Sequence, residues 1–180
     1  MLDILNHYGV KSIKGNHELY IIDGVDEYKK HLIETGAYEE ETINTSWTRD
    51  NLTSEQVVDI SKYDNYVELD VAGNKVLLCH YLYDYNENKP LYDITKYDLV
   101  VQGHNHFQTQ DGKVVTLKAI GIGNKSNDDI GNATYMIIDL NDKEHPYEII
   151  NVPYAYKNSI NDENVSSNNC KQKIINWIGK

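Results

Sequence analysis

The strongest constraint on what this chain can fold into is the patterning of its second half. "YVELDVAG" (66–73) alternates apolar and polar residues with a two-residue period, and "KVLLCH" (75–80) is a short, continuously apolar run. "YDLVVQG", "KVVTLKAIG", "ATYMIIDL" and "YEIINVPY" follow, mostly separated by Gly, Asn or Asp turns. Period-two runs of this length predict strands. No helical stretch alternates with them, which favours a mixed sheet or a pair of sheets over a doubly wound parallel sheet. The first half differs. Residues 2–9 read as a short helix with Leu2 and Leu5 on one face and Gly9 as its stop, and "VKSIKG" (10–15) reads as a strand running into Gly15. Residues 23–62 are polar and acidic and predict two or three short helices, one opened by a capping box from Thr53 to Gln56. The fold class expected is therefore α/β (α+β).

At 180 residues the chain is the size of one domain with a substantial core. Its 40% hydrophobic and 25% charged residues are those of a soluble globular protein, and no apolar run approaches a membrane span. The N-terminus lacks the zones of a signal peptide, so the expected location is cytoplasmic and Asn51-Leu-Thr53 reads as a chance sequon. Cys79 and Cys170 form no C-x-x-C pattern, which suggests neither a disulfide framework nor a thiolate zinc site. A net charge of −11 repels nucleic acid over most of the surface, yet a bound cation would still let one small phosphate approach.

Three segments share a grammar of an apolar strand followed by metal-type ligands. "SIKGNHE" ends in Gly15, Asn16, His17 and Glu18; "KVLLCHY" carries His80; "DLVVQGHNH" ends in Gly103, His104, Asn105 and His106. Ligands bind at the carboxyl ends of strands in open α/β sheets. Nitrogen and amide-oxygen donors suit borderline divalent ions such as manganese, iron, nickel or zinc. Taken singly, His80 reads as a satisfied core histidine and Asn16 as a turn residue. The pair His104 and His106 is evenly balanced, since a continuing strand would point both side chains the same way. Three such coincidences together weaken the bland reading. His7, His31 and His145 read as solvated, and Cys79, next to His80, should turn into packing.

These residues resemble the calcineurin-like metallophosphoesterases, in particular the small bacterial phosphodiesterase branch. G-N-H-E at 15–18, the lone His80 after an apolar strand and G-H-N-H at 103–106 agree in letters, order and strand context. The glycine-containing turn and strand at 116–140 and the ending "VPYAYK" agree as well, so the likeness spans about residues 5–156. The resemblance implies an αββα sandwich of mixed sheets over residues 1–156; the composition of 157–180 reads as a polar linker and a short C-terminal helix. It implies that Asn16, His80 and His104 ligate one metal, that His106 ligates its neighbour, and that His17 protonates the leaving oxygen of a small phosphorylated substrate. Two ions about 4 Å apart would clamp the phosphoryl group and hold the attacking hydroxide.

The sequence also departs from that pattern. The family's D-x-H and G-D motifs, which supply the remaining ligands and a bridging Asp, occur nowhere in it. Tyr81 stands where glycine commonly follows the histidine, and Asn105 where Thr or Ser is usual. The expectation is of a domain missing its first two strands, holding at most one ion and weak or inactive alone, with an exposed sheet edge that invites homo-oligomers. The alternative is a non-catalytic binding module holding one metal or none.

Overall fold

The computed structural model of the chain describes residues 2–84, 89–105, 107–118 and 132–154. His106, residues 119–131, which include the expected glycine-containing turn, and the expected C-terminal linker and helix lie outside the described residues. Among the described residues the fold is mixed α/β, with five α-helices, a mixed five-stranded sheet and two two-stranded sheets. The chain divides into two compact units: residues 1–67 with 78–93, and residues 68–77 with 94–180.

The first unit is helical. α1 (Leu2–His7) stops at Gly9, whose φ of 61° ends the helix as expected. "VKSIKG" does not become a full strand; it makes one parallel bridge, Ile13 to Asp64, with Lys14 N–H donating to Asp64 C=O at 2.8 Å. Four helices follow: α2 (Asn16–Asp23), α3 (Lys29–Glu34), α4 (Tyr38–Asp50) and α5 (Ser54–Ser61). α2 packs on α4 and α5 through buried Tyr20 and Ile21, while Leu32, Thr45 and Ile60 are buried on α3, α4 and α5. α5 opens with the expected reciprocal cap. Gln56 N–H donates to Thr53 Oγ1 at 3.2 Å and Thr53 N–H donates to Gln56 Oε1 at 2.9 Å.

The sheet runs in the order β1 (Tyr66–Val71), β2 (Asn74–Cys79), β5 (Leu99–Gln102), β7 (Val114–Thr116), β6 (Thr109–Asp111). Ala72 and Gly73 join β1 to β2 with φ of 52° and 79°, the doubly positive turn whose twist matches that of the strands. β5 pairs with β7 in parallel, Val100 opposite Val114, and β6 folds back on β7 antiparallel. Val76, Leu77, Val100 and Val115 are fully buried, which is why these runs are continuously apolar. Strand β6 was not visible in the sequence, because "TQD" is polar and wholly exposed. A short pair, β3 (Tyr83–Asp84) with β4 (Lys89–Pro90), belongs to the first unit, and a longer hairpin, β8 (Asn132–Ile138) with β9 (Tyr147–Pro153), to the second.

Candidate functional site

G-N-H-E does not trail a strand; it opens a helix. Gly15 is the cap of α2, and the Glu18 carboxylate reaches back to accept from Gly15 N–H at 2.8 Å. This is the half of a capping box that needs no side chain at the cap. Glu18, grouped by sequence with the ligand cluster, is thus employed in helix capping. Asn16 and His17 occupy the first turn of α2.

Asn16 and His80, 64 positions apart, meet: His80 Nε2 stands 2.9 Å from Asn16 Oδ1. Gly15 makes the approach possible. A Cβ placed on it would lie 2.8 Å from His80 Cε1, 2.9 Å from Nδ1 and 3.0 Å from Nε2, so the imidazole lies face-on against the glycine. Only glycine fits there without displacing the ring. Asn16 Nδ2 reaches the Tyr20 hydroxyl at 3.4 Å, and the Tyr81 ring meets His80 edge-on at a centroid distance of 5.4 Å. His80 is half-buried and Cys79 is buried on the other side of the strand, as alternation requires.

The Asn16–His80 pair fits a divalent ion. The two are in hydrogen-bond contact at 2.9 Å, a separation that two donors on one ion at about 2.1 Å and near a right angle would also have. An amide oxygen with a neutral imidazole is also the donor set that borderline ions accept. Among the described residues no group of three or more His, Cys, Asp and Glu side chains comes together as a metal cage.

His17 is half-exposed and turns to α4 rather than to Asn16. Its Nδ1 lies 3.3 Å from Glu41 Oε2, and its ring packs edge-on against Tyr20 at 5.6 Å. Burial raises the Tyr20 phenol above its ordinary value; the Asn16 hydrogen bond opposes the rise and the Glu41 charge adds to it. Sequence inspection missed Glu41, one of three consecutive glutamates in the first turn of α4. Glu39 and Glu40 are exposed, whereas the Glu41 side chain is only 16% exposed.

His104 belongs to the second unit. β5 ends at Gln102, so strand alternation does not extend to His104. Instead Asn105 N–H donates to Gly103 C=O at 2.8 Å, and His104 at the centre of this tight turn has a φ of 68°. That is the γ-turn of positive φ. His106 lies outside the described residues. Of the histidines expected to be solvated, His7 and His145 are exposed, the latter 3.7 Å from Asp142, while His31 is half-buried in α3.

No family model matches the sequence, and no curated protein does. Among solved structures, a hypothetical protein from Pyrococcus horikoshii OT3 matches 99% of this chain and 75% of its own, with a TM-score of 0.61 and 15% identity. The two chains share a fold. At that identity the likeness shows nothing further. A structure described as a novel archaeal phosphodiesterase matches 54% of this chain at 19% identity with a TM-score of 0.31, and this chain spans 59% of its length. Among the described residues, no helix is long and apolar enough to cross a membrane.

Proposed function

We propose that this chain is a metal-dependent phosphoesterase acting on a small phosphomonoester or phosphodiester. The observation that carries the reading is the Asn16–His80 pair, 2.9 Å apart and seated on Gly15. It brings together two of the motifs on which the phosphoesterase resemblance rests. Asn16 and His80 would hold a divalent ion, manganese by preference or iron, nickel or zinc. His104 and His106 keep the ligand roles that the motif resemblance implies for them. Bound there, the ion supplies Lewis-acid polarisation of the phosphoryl group.

His17 acts on the leaving group. As hydroxide attacks phosphorus and the bond to the leaving oxygen breaks, Nε2 of the protonated imidazole gives that oxygen its proton. His17 is half-exposed, so this nitrogen remains within reach of a substrate. Asn16 and His17 are consecutive in the first turn of α2, where the helix dipole favours an anionic phosphate.

The test is manganese titration of the purified chain by calorimetry, followed by turnover of an aryl phosphodiester. Saturable binding is expected, weakened at least tenfold by either Asn16→Ala or His80→Ala. Hydrolysis by the chain alone is expected to be slow, because the sequence contains neither D-x-H nor G-D to supply a bridging carboxylate. It should fall about a hundredfold or more in His17→Ala. Binding that survives both ligand substitutions unchanged would refute the site. Saturable manganese binding with no hydrolysis, under any divalent ion, would identify a binding module instead.

A further inference from the structure

We propose that the outer face of α4 is a docking surface for a basic amphipathic helix of another protein. This role is independent of the phosphoesterase reading and rests on α4 alone, whose 13 residues carry an inverted polarity. A surface helix ordinarily turns its apolar residues to the core and its polar ones to water. In α4 the inward face is threonine: Thr45 is buried, and Thr42 and Thr48 on either side of it are half-buried. Thr42 Oγ1 donates to Tyr38 C=O at 2.7 Å and Thr48 Oγ1 donates to Asn44 C=O at 2.8 Å, so the helix's own carbonyls satisfy these hydroxyls. The isoleucine and the tryptophan of the helix point the other way. Ile43 is 47% exposed and Trp47 44%. At 3.6 residues per turn, each lies about 20° from the line diametrically opposite Thr45.

Charge selects what covers this face. Ile43 and Trp47 form one ridge, four residues apart, and acid closes it at both ends. Glu39 stands one turn before Ile43 and Asp50 one turn after Trp47, both exposed. Such a ridge fits the groove of a second helix that carries its own apolar row at the same spacing. Tryptophan is also among the residues that most often anchor a contact of this kind. α4 as a whole bears four carboxylates against one cation, Arg49, in a chain of net charge −11. A second copy would therefore set like charges against Glu39 and Asp50, and a phosphate-bearing surface would be repelled. A helix with Lys or Arg beside its apolar row instead brings cations to both acids and is steered towards the ridge.

Trp47 reports its own coverage in a Trp177→Phe chain, where it is the sole tryptophan. The probe is a synthetic leucine–lysine helix with leucines spaced to form one row and no aromatic residue. Two control peptides replace lysine by glutamate and leucine by serine. Titration of the leucine–lysine peptide should shift Trp47 emission to the blue and saturate, with little response to either control. Ile43→Ser should weaken binding about tenfold or more. Glu39→Gln combined with Asp50→Asn should weaken it about threefold and flatten its salt dependence. Both variants alter exposed side chains, so their urea midpoints should stay close to that of the parent chain. No saturable shift, an equal response to the glutamate peptide, or binding unchanged by Ile43→Ser overturns the proposal. A concentration-dependent dimer in sedimentation that Ile43→Ser abolishes assigns the face to a second copy and overturns it as well. Should Ile43→Ser fail to fold, the serine control decides alone: binding as tight as that of the leucine–lysine peptide would show that the ridge is not used.

Discussion

Gly15→Ala is the substitution whose outcome the geometry fixes best. The backbone at Gly15, φ −104° and ψ −175°, is open to alanine, so any cost comes from packing and not from backbone strain. The new methyl would meet three ring atoms of His80 at 2.8–3.0 Å, about 0.6 Å short of the nearest ordinary van der Waals contact. A face-on ring retreats along its own normal, nearly at right angles to the in-plane contact with Asn16 Oδ1, so that 2.9 Å contact is bent more than it is stretched. Overpacking of this kind costs about 1–3 kcal/mol. With a urea dependence of about 2 kcal/mol per molar, the unfolding midpoint should fall by about 0.5–1.5 M. Gly9→Ala is the control: φ is 61° and nothing lies within 4 Å of the added methyl, so it should cost about 1 kcal/mol of backbone strain alone. Urea melts followed by circular dichroism, with the His80 ring signals read by NMR, decide the matter. A Gly15→Ala chain no less stable than Gly9→Ala, with His80 signals in their wild-type positions, would refute the face-on packing.

Two further outcomes follow from local geometry. Thr53→Ala removes one half of the α5 cap and should cost about 1 kcal/mol in the same urea melt, with Thr53→Ser costing much less. Cys79 is 2% exposed and burial pushes its thiol up to about 12, so a Cys170→Ser chain should react with a disulfide reagent at pH 8 only on unfolding. The sign for stability is fixed. Between the ordinary thiol range and about 12 the native chain holds a proton that the unfolded chain has lost, so this contribution falls as pH rises through that window. A pH-independent midpoint from 9 to 11 in a comparison with Cys79→Ala would contradict it.

What could be read from the sequence was whatever depends on near neighbours. The Thr53–Gln56 cap, the stop at Gly9 and the buried runs around Val76 and Val100 follow from propensities within a few residues. The opening of α2 at Asn16 was legible in principle, since a glycine with glutamate three positions on is a cap signal, but the apolar-then-ligand pattern drew attention to a strand. Glu41 was not legible. Its selection from three adjacent glutamates depends on α4 packing against α2, which no local pattern records. Nor does "VVQGHNH" announce its turn, because Gly103 is the residue that chemistry would have chosen for a positive φ, and His104 takes it instead.

That choice bears on how the chain divides its stability. A tight turn of positive φ costs a histidine about 1–3 kcal/mol that glycine would not incur, against a total stability of about 5–15 kcal/mol for a domain. A sequence tuned for robustness alone would place glycine at position 104 and melt at a higher temperature. Under the ligand role proposed for His104, position 104 is a point at which stability and chemistry are competing aims.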